Sequence, residues 1–160
     1  MKIGLALQGL YRAESDLADE LLRLSEQYRE EHDIHHLARD LAGWSQRHVR
    51  EIAETAKEYG VTLELEPLGE FDTARTVRKK GGHLLDPRGE AALRLLDDLR
   101  AVYVKASGVS LDWVLLGQAA RGIKDSELLT VVARCHPDTL RQVRWANAML
   151  KELSPQILTS

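Results

Sequence analysis

The sequence predicts an all-α protein, a single bundle of four long helices spanning 1–160. Three observations lead there. Apolar residues recur at spacings of three and four through four long segments, the period of a helix with one buried face. Leu, Ala, Glu and Arg abound while aromatics are only 5 %, a composition that favours helices over sheets. The breaks between segments carry residues that start and stop helices.

The first segment, 2–31, has Ile3, Leu7, Leu10, Glu14, Leu17, Leu21, Leu24 and Tyr28 on one stripe. "EEHD" interrupts it, and Asp33 is the expected N-cap of a second helix over 34–59. Leu41, Ser45, His48, Ile52 and Tyr59 form its stripe, and Gly60 is a suitable residue to end it. Residues 60–86 show no sustained helical period, although "VTLELEP" alternates like a short strand. Asp86-Pro87 is a cap followed by proline at the first helical position, so a third helix is expected over 87–121. Its stripe is Leu95, Leu99, Val102, Ala106, Val109, Trp113 and Leu116. After "RGIKDSE", capped by Asp125 or Ser126, the fourth helix is expected over 127–153. Leu128, Val132, Cys135, Thr139, Val143, Ala146, Leu150 and Leu153 face inward there. Pro137 should kink this helix or split it near Cys135, and Pro155 should close it.

Short links make each successive pair an antiparallel hairpin. The middle connection, at ~3.3 Å per extended residue, can run the length of a ~39 Å helix. Helices two and three can therefore be parallel, giving an up-down-down-up order with one long crossover.

One entry on the first stripe is a carboxylate. Glu14 lies about 18 residues before the first turn and His48 about 15 after it, so the hairpin brings them to one level. Ser110 on the third helix, and Cys135, His136 and Thr139 on the fourth, interrupt the apolar pattern at a similar height. Four lapses at one level read as one shared polar layer, satisfied internally or by a ligand.

The two hairpins, the crossover, the mid-helix "RAE" and the second-helix "SQRH" resemble the ferritin-like superfamily. That resemblance implies the up-down-down-up bundle. In di-iron members it also implies a Glu from each of two helices and a Glu-x-x-His pair from each of the others. Glu14 matches the first-helix Glu and His48 the second-helix His, but Ser45 stands where the Glu before that His belongs. The third stripe has no acid near Val109 and Ser110, with Asp112 off it, and "HPDT" gives His136 followed by Thr139. Two of the six positions that pattern requires are matched. The resemblance thus implies a non-classical ferritin-like bundle without a complete di-iron site, acting through binding or self-association, and leaves open whether it is an enzyme. A homo-oligomer is expected by analogy with related bundles, and a protein partner fits the same reading. The alternative is a mononuclear metal protein for redox or metal handling, with Glu14, His48 and His136 around one Fe or Zn ion.

Other features have plainer readings. His35 and His36, beside His32, are surface histidines near a helix start. "ARTVRKKGGH" is a basic loop without the P-loop pattern. Cys135, the only cysteine, excludes an internal disulfide and reads as a small core residue, since adjacent His136 points ~100° away on a helix. Trp44, Trp113 and Trp145 read as packing, and Gln118, Arg121, Arg141 and Arg144 as a polar seam. A net charge of −3 and no reading helix argue against nucleic acid. No stretch resembles a signal peptide or reaches the ~18 apolar residues of a membrane span, so a cytoplasmic location is expected.

Overall fold

The computed structural model describes residues 1–65 and 89–160, which form four helices and, among these residues, no strand. Helix α1 is Ile3–Gln27, α2 His32–Lys57, α3 Glu90–Gly122 and α4 Ser126–Thr159. The expected stripes are the buried faces: Leu7, Leu17 and Leu21 of α1, Ile52 of α2, Leu99, Val102 and Trp113 of α3 and Cys135 of α4 are wholly enclosed in one core. Val132, Val143, Leu150 and Leu153 of α4 are only partly buried and pack against that core from its edge. No helix among the described residues is long and apolar enough to cross a membrane.

Helix α1 packs on α2 and α3, and α4 packs on α3 and α2. Hydrogen bonds give the directions. Ser25 meets His35 and Glu14 meets His48, so α1 and α2 are antiparallel. Tyr28 donates to Asp98 at 2.7 Å and Lys105 donates to Glu20 at 3.1 Å, so α1 and α3 are antiparallel as well. His48 meets Asp138 and Ser45 meets Gln142, which sets α2 antiparallel to α4.

Several boundaries differ from expectation. Helix α1 stops at Gln27, four residues early, where the amide of Glu31 turns back to the carbonyl of Tyr28. Asp33 lies in the first turn of α2 with Glu31 at the cap position, so its charge favours the helix dipole but its side chain does not cap. Neither proline breaks α4, which runs unsplit through Pro137 and Pro155 to Thr159. Pro137 and Pro155 are exposed, as are Ala133 and Lys151 one turn before them, so the carbonyls deprived of an amide partner face water. Residues 61–65 form no strand but lie along α1, with Val61 against Gly4 and the Tyr11 hydroxyl donating to the Glu64 carbonyl. A Cβ on Gly4 would come within 2.8 Å of Val61, so this approach requires glycine. The start signal at Asp86-Pro87 and the basic loop with Arg75, Arg78, Lys79, Lys80 and His83 lie outside the described residues; α3 follows Gly89 at φ +85°.

The C-terminal ends of α2 and α3 close with the same backbone device. The Val61 amide bonds the Ala56 carbonyl around Gly60 at φ +73°, the left-handed helix stop that the sequence indicates. The Asp125 amide bonds the Ala120 carbonyl in the same way, but the left-handed residue is Lys124 at φ +56°, not Gly122. Asp125 then caps α4 by accepting from the Leu128 amide at 3.0 Å, and the Tyr59 hydroxyl donates to it. These two donors hold its carboxyl below the usual range. A side chain in the left-handed region costs about 1 kcal/mol. Lys124→Gly should therefore raise the unfolding free energy by about 0.5–1 kcal/mol in urea denaturation. A decrease would mean that the Lys124 side chain itself holds the turn.

Candidate site at the bundle centre

Glu14 sits between Leu10 and Leu17 on the buried face of α1 and is 0 % exposed. A carboxylate there is costly unless hydrogen-bonded. Its Oε2 lies 2.8 Å from Nδ1 of His48, itself 2 % exposed on α2. The other ring nitrogen, Nε2, lies 3.1 Å from Oδ2 of Asp138 on α4. Trp113 of α3 stands edge-on to the imidazole, ring centres 6.1 Å apart at 83°. Each helix thus gives one side chain to the cluster.

Asp138 is the link to solvent. Arg141 donates to it at 3.0 Å, and Arg47 approaches within 3.9 Å. Both arginines are exposed, so a polar path runs from Glu14 through His48 and Asp138 to the surface. Beneath it, the buried Gln142 Nε2 donates to Ser45 Oγ and to the Leu41 carbonyl, each at 2.9 Å. This bond ties α4 directly to the α2 backbone.

Proton counting follows from this geometry. Each of the two bonds to His48 needs one proton, so the Glu14–His48–Asp138 chain holds two. They sit either on an imidazolium between two carboxylates or on a neutral imidazole beside a protonated carboxyl. The unfolded chain at neutral pH keeps only the single N–H of a neutral histidine. Burial lowers the proton affinity of His48, but hydrogen bonds and charges from Glu14 and Asp138 outweigh it and raise the pKa above its ordinary value. Burial raises Glu14 as well, opposed first by its bond to His48 and that ring's charge. Trp113 and Ser45 lie close enough to favour the carboxylate further, although among the described residues neither Glu14 Oε1 nor Trp113 Nε1 completes a hydrogen bond.

The structure joins Glu14 to His48 as the sequence indicates, and buries Ser45 one turn before His48, where it accepts from Gln142 of α4. His136, the third expected ligand, is half-buried with Nε2 2.9 Å from Ser110 Oγ, a bond confined to the second hairpin. Among the described residues, no three of His, Cys, Asp and Glu converge as a metal-holding group. Thr139 is buried and bonds back to the Cys135 carbonyl at 3.4 Å. Cys135 donates to Glu51 Oε2 at 2.9 Å, away from His136, and burial beside that carboxylate pushes its thiol pKa up. A thiol held protonated is a poor nucleophile. His35 is bound to Ser25, donating from Nδ1 to its carbonyl at 2.8 Å and receiving its hydroxyl on the His35 carbonyl at 2.6 Å.

Comparison with protein-family models, with curated proteins and with solved structures finds no match. The reading of this site therefore rests on its own geometry.

Asp138 and Gln142 are the members that the stripe analysis passes over. The buried line of α4 runs Cys135, Thr139, Gln142 and Ala146, so Gln142 stands on it where the expected stripe takes Val143, while Asp138 stands one step to the side that meets α2. Their i, i+4 spacing beside Thr139 is the signal that marks them.

The folded chain holds more protons than the unfolded one, so stability should fall as pH rises. The sign is that of a histidine raised on folding. Its contribution is complete below the unfolded value of about 6.5 and disappears as pH climbs through the folded pKa. Over pH 6.5–8.5 the wild type should lose up to about 1.4 kcal/mol per pH unit, read by urea unfolding. His48→Gln should flatten this slope; parallel curves would show that the proton resides elsewhere. Glu14→Ala, which strands a buried imidazole, should cost about 3–5 kcal/mol, with Glu14→Gln appreciably milder.

Proposed function

We propose that this chain is a ferritin-like bundle in up-down-down-up order whose central site serves structure, and that the protein acts through its surface by association with protein. The directions of the helix pairs support that order: α1 is antiparallel to both α2 and α3, and α4 is antiparallel to α2. One observation carries the functional part. Both ring nitrogens of His48 are engaged by carboxylates, so neither has a lone pair free for a metal unless a bond breaks. A di-iron centre needs bridging carboxylates on several helices. Here Ser45 replaces one and Trp113 fills the space on α3 with an indole edge. The residues present do not fit that cofactor. The Cys135 thiol donates to Glu51 and is held protonated by burial beside that carboxylate, so it is not poised as a nucleophile.

A second reading, a mononuclear Fe or Zn protein through Glu14 and His48, rests on Glu14 Oε1, which accepts no hydrogen bond among the described residues. Metal analysis by mass spectrometry on protein purified without chelators separates the two. Wild type and His48→Ala should both lack stoichiometric metal, with the variant differing only in stability. Iron, zinc or manganese near one per chain, lost in His48→Ala, would overturn the structural reading.

A further inference from the structure

His48 commits both ring nitrogens to carboxylates, but two imidazoles at the start of α2 keep theirs. His32 and His36 are exposed, and among the described residues neither ring makes a hydrogen bond. Their spacing of four sets them on one face of the helix, a turn apart. The ring centres are 5.5 Å apart with planes at 23°. An ion about 2.0–2.1 Å from a histidine nitrogen stands about 3.2 Å from that ring's centre. Two imidazoles sharing it at square to tetrahedral angles have centres about 4.5–5.2 Å apart. The pair is therefore within a few tenths of an ångström of the separation a shared ion demands. Only the ring tilts must change, through the broad terminal torsion of histidine. His35 backs His36 edge-on, ring centres 5.0 Å apart, and is itself anchored through Nδ1 to the Ser25 carbonyl at 2.8 Å. The surrounding charge is acidic. Glu30, Glu31 and Asp33 are exposed at this turn, Arg29 is paired with Glu26 at 2.9 Å, and Arg39 and Asp40 one turn on offset each other. That excess of acid favours a cation against the positive end of the helix dipole.

We propose that His32 and His36 form a site for one divalent transition-metal ion of the zinc, nickel and copper class. Imidazole nitrogens on successive turns of one helix face are donors that such ions take, whereas calcium and magnesium require oxygen. No third His, Cys, Asp or Glu converges there among the described residues, so water completes the coordination. An ion held by two protein donors exchanges with solvent; it leaves during purification and returns when added. The site goes beyond the reading of the bundle centre and is compatible with it. His32 precedes His48 along α2 by about 24 Å of helix. Bound there, the ion ties together the first two turns of α2, beside the turn from α1. It favours the folded chain, where the helix holds the two rings together, over the unfolded chain, where nothing does.

Calorimetric titration of the full chain with Zn²⁺, in a buffer that does not bind metal, tests this. Wild type should take up one ion per chain, and its urea unfolding midpoint should rise when Zn²⁺ is added. His32→Ala and His36→Ala should each weaken binding by about tenfold or more and remove that rise. Both positions are exposed and alanine favours helix, so these variants should fold. A further variant keeps the number of histidines and alters only their spacing. It combines His36→Ala with Leu37→His, at a leucine already 43 % exposed. Binding should be no tighter than in His36→Ala alone, because a spacing of five turns the second ring about 140° away. No uptake by wild type, uptake indifferent to both alanines, or equal uptake by the shifted pair would each overturn the proposal. His48→Ala separates it from the reading of the centre. Uptake lost in His48→Ala but kept in His32→Ala would put the ion at the centre and sink both. Uptake lost in His32→Ala but kept in His48→Ala supports this site and leaves the structural reading of the centre intact.

Discussion

The imidazole of His48 is bonded through one nitrogen to Glu14 of α1 and through the other to Asp138 of α4, and the packing of all four helices is arranged around keeping both bonds. A carboxylate wholly removed from water is tolerated only when a partner replaces the lost hydration. Glu14 has one such partner, fixed in place because the far side of its ring is also held. Trp113 closes the level from α3, and Gln142 locks α4 to the carbonyl of Leu41 just above. Moving either seam by a residue would strand Glu14, so the polar layer sets the register that a purely apolar core would leave free to slide.

The remaining polar contacts secure the ends of the bundle. At the end where α1 turns into α2, Ser25 and His35 exchange bonds, and nearby the Tyr28 hydroxyl reaches Asp98 of α3. At the opposite end Tyr59 donates to Asp125, which also caps α4. Burial beside these acids raises both phenols, Tyr59 to about 12, so the two links persist as hydrogen bonds through the neutral range. Register is thus fixed at three heights, and of these contacts only the middle ones include a carboxylate wholly removed from water, Glu14.

Much of this is legible in the sequence because helix periodicity reports burial directly. Glu14 stands out as the acid on an otherwise apolar line, and equal distances from the first turn pair it with His48. The stop at Gly60 and the cap at Asp125 are likewise local chemistry. What escapes is set between helices. Asp138 lies off the α4 stripe and becomes central only because α2 packs on that side, whereas Gln142 is a polar residue on the buried line itself, beside the apolar Val143 that draws the eye. The two prolines look like breaks until their exposed positions show that the orphaned carbonyls meet solvent. Lys124 takes a conformation that composition assigns to glycine, since the requirements of two adjoining helix ends override the preference of one residue.

The bonds of the central cluster differ greatly in how far along the chain they reach. Glu14 and His48 are 34 residues apart and belong to one hairpin, whereas His48 and Asp138 are 90 apart and belong to two. During folding the first hairpin can form quickly from local contacts, with Nε2 of His48 still hydrated. The far bond closes only when the second hairpin arrives, after the larger loss of chain freedom that long separations impose. Against the cost of burial, Glu14 within the first hairpin raises the proton affinity of His48 most, and Asp138 of the second hairpin adds to it. Acidity therefore bears on both the local contact and the long-range one.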